Sequence, residues 1–184
     1  MASTDALLRS VAKPRDMNEI EVEQVADASL EEPVFVEGLP GVGHVGKLVA
    51  EHLIDETEST LLARVYSEHF PPQVGVGEDG VANLAHAELY GVHTDGRDLV
   101  VLTGDHQAGS NEGHYRLTAR FLDEAERLGA DRIYSLGGIP TGELIEEYSV
   151  LGAVSDESLI EDLEATGVEF RAEEPTGGIV GTSG

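Results

Sequence analysis

Between residues 33 and 54 the sequence PVFVEGLPGVGHVGKLVAEHLI places glycines at 41, 43 and 46 and a lysine at 47. Glycines so spaced let a backbone approach a phosphate closely, and a helix N-terminus behind them adds amide donors and a positive dipole end. From Gly41 the string G-V-G-H-V-G fits the dinucleotide fingerprint. Glu68 stands near the position, about 20 residues on, where that fingerprint wants an acid for the ribose. Two features argue against it. Gly38-Leu39-Pro40 lengthens a turn that the dinucleotide fold keeps short, and Pro40 removes an amide donor. The loop also falls short of a phosphate loop, because the residue after Lys47 should be a Ser or Thr that binds magnesium and is Leu48. We expect Leu48 to pack on the inner face of the following helix, and the loop to be a tight strand-to-helix turn whose glycines permit close packing.

Two further glycine clusters, SLGGIPTGE with Gly137 and Gly138 and PTGGIVGTSG with Gly177 and Gly178, stand at the expected ends of strands. Together with Gly41, Gly43, Gly46 and Lys47 they could form one rim of backbone amides that binds a phosphate-bearing small molecule. Lys47 is the discriminating member, since an anion site in so acidic a chain needs a positive charge beside its amides. The plainer account is that strand-to-helix turns need glycine anyway. A separate stretch, TGDHQAGSNEGHY, gathers Asp105, His106, Glu112 and His114 behind a strand, where α/β folds bind ligands. It lacks H-E-x-x-H or any other compact helical spacing, so no metal site is assigned. The chain has no cysteine, hence no thiolate nucleophile, and no G-x-S-x-G elbow; loop serines such as Ser110 lack an evident partner. No catalytic residue and no cofactor are expected.

Periodicity supplies the strands and helices that carry these loops. Residues 1–19 are polar and mixed, an arm ahead of a single domain that runs from 20 to 184. IEVEQVAD alternates as a half-exposed strand does, and PVFVEG reads as a more buried one. Val45, Leu48, Val49, His52 and Leu53 recur at helical spacing over 44–56, and STLLARVYS is strand-like, so the order β-α-β suits a parallel crossover. Asp95-Gly96 between two apolar runs signals a hairpin. NEGHYRLTARFLDEAERLGA is the clearest helix, with Tyr115, Leu117, Ala119, Phe121, Leu122, Ala125 and Leu128 inward and Gly129 as its stop. DRIYSLGGIP reads as a buried strand and YSVLGAVS as another. Ser155 or Asp156 caps a short helix to about Ala165, and VEFRAE is a last strand. The sum is an α/β chain with a mostly parallel sheet, helices on its faces and one antiparallel hairpin.

A length of 184 residues suits one such domain. Against 36 acidic residues stand 11 Lys and Arg, a net charge of -25, and only Lys13 and Lys47 are lysines. The acids are spread along hydrophobic periods rather than gathered in a tail, so the charge coats a folded surface that repels nucleic acid and anionic membranes. This shell resembles those of proteins from salt-loving archaea, where molar salt shortens the Debye length to about 3 Å. No apolar run approaches the roughly 18 residues that span a bilayer, and the N-terminus has no secretory apolar stretch, which points to the cytoplasm.

In order across residues 33–184, the blocks VEGLPGVGHVGKLVAEHLI, VVLTGDHQ, IYSLGGIPTGE and PTGGIVGTSG resemble the PAC2 family of archaeal proteasome assembly chaperones, here of haloarchaeal type. The resemblance implies a three-layer α/β/α fold similar to nucleoside phosphorylases, self-association into homo-oligomers, and binding to proteasome α subunits without catalysis. Archaeal relatives have also carried an ATP-grasp label. The competing expectation is therefore a phosphate- or nucleotide-binding enzyme of ATP-grasp or phosphorylase-like type that uses the glycine loops. Ring-binding chaperones of the family end in a hydrophobic-Tyr-X tail after further helices. This sequence ends at Thr182-Ser183-Gly184, so the resemblance implies a domain without those helices and that tail.

Overall fold

Short runs of β-branched and aliphatic residues build the strands of the computed structural model, which describes residues 20–77, 79–140 and 148–171. In chain order come β1 (Glu21–Gln24), β2 (Val34–Gly38), α1 (Val45–Asp55), β3 (Glu58–Tyr66), β4 (Val74–Val76), β5 (Ala82–Leu84), β6 (His86–His93) and β7 (Leu99–Gly104). The chain continues with α2 (Asn111–Arg127), β8 (Arg132–Ser135), β9 (Val150–Gly152), α3 (Ile160–Glu164) and β10 (Val168–Phe170). Among the described residues six strands form one sheet in the order β1-β3-β6-β7-β2-β8. The strands β4 and β5 pair as a separate antiparallel hairpin, and β9 and β10 as a separate parallel pair.

The main sheet is mixed, which corrects the expectation of a mostly parallel one. Its β2–β7 and β2–β8 pairings are parallel, whereas β1–β3, β3–β6 and β6–β7 are antiparallel. The cause is the path of the chain beyond the β2-α1-β3 unit. The two strands of that unit do run in the same direction, but the chain then returns through residues 67–85 into β6 and turns again into β7. Those two strands insert between β3 and β2. The second turn is the expected hairpin at Asp95-Gly96. There the Thr94 hydroxyl donates to the Arg97 carbonyl at 2.7 Å, and buried Asp98 accepts from the Thr94 amide at 3.3 Å.

Period-2 alternation divides the core into two layers. Phe35, Val65, Leu89, Val100 and Leu102 pack with Leu117, Phe121 and Ala125 of α2. The alternate residues Val34, Val36, Val92 and Val101 pack with Ala50 of α1. The helices therefore cover opposite faces of the sheet, and β2, which they enclose, is buried along its whole length, as parallel strands require.

Helix α2 begins where Ser110 Oγ accepts from the Gly113 amide at 3.1 Å, and it ends at Gly129. Gly129, at φ +86°, donates to the Glu126 carbonyl and Ala130 donates to that of Ala125, the Schellman pattern. Its inner face is narrower than the sequence suggests: Leu117, Phe121 and Ala125 are buried, but Tyr115 and Leu122 are exposed. Buried Glu124 takes part of that face, held by Arg120 and Arg127 at 2.7 Å each. A second correction concerns β8. All four of its residues are exposed, because among the described residues it is the sheet's edge strand and α1 packs over the centre, on β2 and β7.

Candidate functional site

The glycine loop leaves the C-terminal end of β2 and turns through Gly43 (φ +62°) and His44 (φ +55°) into α1. Helix α1 then lies so close to β2 that a Cβ on Gly38 would stand 2.4 Å from the Gly46 carbonyl oxygen and 2.5 Å from Ala50 Cβ. Only a face of small residues can approach a strand this far, and that selects the face turned inward: Gly46 and Ala50 are buried, with Leu53 and Ile54 beside them. Val45, Leu48 and Val49 consequently point outward, and Leu48 is 59% exposed. The expectation that Leu48 packs inward is overturned. The periodicity is that of a helix, but the close approach needs the glycine side.

The sheet brings six of the eight residues proposed for the anion rim to one end of β2 and its neighbour β8; Gly177 and Gly178 lie outside the described residues. A Cβ on Gly46 would fall 2.0 Å from the Leu136 carbonyl oxygen, and one on Gly138 would fall 2.2 Å from that of Val42. These two glycines thus let the two loops interlock, and what faces them is carbonyl oxygen. Gly41 and Gly137 border open space. The Lys47 ammonium binds Glu51 and lies 3.4 Å from Asp105 Oδ1. Burial pulls its pKa down, but the two carboxylates outweigh this and raise it. One cation between two anions leaves a net negative cluster, the wrong sign for a phosphate.

Three of the four residues singled out in the histidine loop are engaged with neighbours, while His114 Nδ1 is buried with no hydrogen-bond partner among the described residues. Asp105 faces Lys47, the His106 ring meets Gln73 Nε2 at 3.1 Å, and Glu112 pairs with Arg116 at 2.9 Å. Among the described residues no group of three or more His, Asp or Glu is placed to hold a metal ion.

The most connected polar group escaped the sequence reading. Alternation along β6 puts His86, Glu88 and Tyr90 on one face, and β3 sets Arg64 opposite Glu88 and Tyr66 opposite His86. Glu88 accepts from Arg64 Nε at 3.1 Å and from the Tyr90 hydroxyl at 2.9 Å, with His86 Nε2 at 3.4 Å. The hydrogen bond from His86, with those from Arg64 and Tyr90, holds the Glu88 carboxyl down at about 2. The same bond raises His86, and burial beside the Glu88 charge pushes Tyr90 up to about 12. Such a carboxylate stays ionised and fully bonded, so it staples β3 to β6 and offers neither an acid nor a free base. The H-x-E-x-Y pattern of residues 86–90 was the available signal.

Set against known proteins, the sequence matches the PAC2 family over residues 35–184. The chain belongs to the PAC2 family. It is 38% identical over 155 residues to the uncharacterized protein MJ1210 of Methanocaldococcus jannaschii, a match covering 84% of this chain and 59% of that relative. The chain thus spans about three fifths of the length of this curated relative. Among solved structures it is similar to Pyrococcus furiosus PbaB, described as an archaeal proteasome activator. That likeness has 36% identity and a TM-score of 0.83, over 91% of this chain and 73% of PbaB. Pyrococcus furiosus PbaA, described as an archaeal homolog of proteasome-assembly chaperone, shares the fold at 23% identity and a TM-score of 0.68, over 90% of this chain and 68% of PbaA. The PAC2 match includes both loops that interlock through Gly46 and Gly138. No helix among the described residues is long and apolar enough to cross a membrane.

Proposed function

We propose that this PAC2 chain is a non-catalytic proteasome assembly chaperone, a homo-oligomer that binds proteasome α subunits through its surface. The observation that carries the reading is the likeness to PbaB, with 36% identity and a TM-score of 0.83 over 91% of the chain. The site geometry supports it in a second way. The glycine loops, where an α/β enzyme would hold its ligand, are packed against each other, and Lys47 is neutralised by Glu51 and Asp105. The acidic shell supports a haloarchaeal variant that works in molar salt in the cytoplasm. The test is affinity capture from a lysate kept at molar KCl with the tagged chain as bait. Proteasome α subunits are expected in the eluate; their absence while the bait remains folded would remove the reading.

A further inference from the structure

Helix α2 carries an apolar stripe, Tyr115, Ala119 and Leu122 at i, i+4 and i+7, that stays exposed among the described residues. An apolar stripe at helical spacing is a packing face. Beside it, between α2 and the turn at 67–69, runs an open groove of about 500 Å³ bounded by Ile20, Glu68, His69, Arg116, Ala119 and Arg120. Two observations select what fills it. The first is covalent continuity: Ile20, a wall of the groove, packs against the core cluster of Leu117 and Phe121, so the 19 residues ahead of it set out from the groove itself.

The second is charge. Residues 1–19 set Arg9, Lys13 and Arg15 against Asp5, Asp16 and Glu19, so the net charge of -25 belongs wholly to residues 20–184. Within this arm the stretch 6–15, ALLRSVAKPR, holds all three cations, no acid, and the apolar Leu7, Leu8 and Val11. The two groove arginines do not oppose those cations, because Glu112 holds Arg116 at 2.9 Å and buried Glu124 holds Arg120 at 2.7 Å. Asp123 stands 4.0 Å from Arg120, and Glu68 pairs with no cation among the described residues. A second copy would bring its own charge of -25 to this place. The arm brings three positive charges, at the high effective concentration of a tethered segment.

We propose that residues 6–13 of the N-terminal arm seat in this groove of their own chain, with Leu7, Leu8 and Val11 on the Tyr115, Ala119 and Leu122 stripe and the cations toward Glu68 and Asp123. The reach suffices. Val11 is nine residues ahead of Ile20, about 30 Å when extended, whereas the stripe from Tyr115 to Leu122 is about 10 Å long. The proposal is independent of the chaperone reading.

The sequence has no cysteine, so paired thiols report the seat. In the full chain at molar KCl, mild oxidation of Leu8→Cys with Ala119→Cys is expected to close an intramolecular disulfide several-fold more completely than Leu8→Cys with Leu48→Cys, whose second thiol is exposed on α1. Equal closure of the two pairs, or disulfides that join separate chains in dilute protein, would overturn the seat. Trypsin gives a separate reading that leaves the cleaved sequence untouched. Ala119→Arg puts a bulky cation in the groove, and with circular dichroism unchanged it is expected to speed cleavage after Arg9 about tenfold, since cutting follows the population of the released arm. A rate equal to that of the wild type would show that the arm is not held there.

Discussion

Gly46 cannot carry a side chain, because the position of its Cβ is filled by the Leu136 carbonyl. Alanine inside a helix normally gains about 1 kcal/mol over glycine, but a backbone clash at 2.0 Å outweighs that gain. Gly46→Ala should therefore lower the melting temperature by roughly 5 °C, while Gly41→Ala, which faces open space, should leave it unchanged; thermal denaturation in molar KCl checks the pair. The His86–Glu88 bond gives a pH signature. Because the folded state raises His86, its contribution is complete below the unfolded value of about 6.5 and is lost as pH rises through the higher folded value. The wild type should thus lose more melting temperature between pH 6 and 8.5 than His86→Gln does; equal losses would refute the link. At this scale the sequence revealed which residues are unusual but not how they face. The glycines were recognisable as close-packing positions. The orientation of Leu48 was not, because helical spacing defines a stripe without saying which stripe turns inward. The small volumes at Gly46 and Ala50 decide that.

Among the elements, the helices and the Asp95-Gly96 hairpin were legible because their signals are local: a serine cap, a glycine stop, alternation broken by a turn. Gly129 illustrates the strength of such signals. Its φ of +86° makes Gly129→Ala cost about 1–2 kcal/mol, a loss that chemical denaturation should register as a lower midpoint with an unchanged slope. Strand order was not legible. The direction of β3 relative to β2 followed from the intervening helix, but the insertion of β6 and β7 between them depends on long-range pairing. Nothing in STLLARVYS encodes that its neighbour is HAELYGVH rather than VFVEG. The exposure of β8 is a similar case: DRIYSLGG has the composition of a buried strand and occupies an edge.

For the whole molecule the dominant quantity is the charge of -25 on 184 residues. Self-repulsion of that size weakens as the Debye length shortens, so the melting temperature should climb steadily from low to molar KCl. A flat profile would show that the acidic shell carries no salt requirement. The same charge bears on binding, since counter-ions screen its repulsion of other acidic surfaces. The central claim is binding to proteasome α subunits without catalysis, and sedimentation velocity of the chain mixed with purified α subunits in molar KCl tests it most directly. The account predicts one faster boundary containing both proteins. Two boundaries, each moving as the separate protein does, would contradict it.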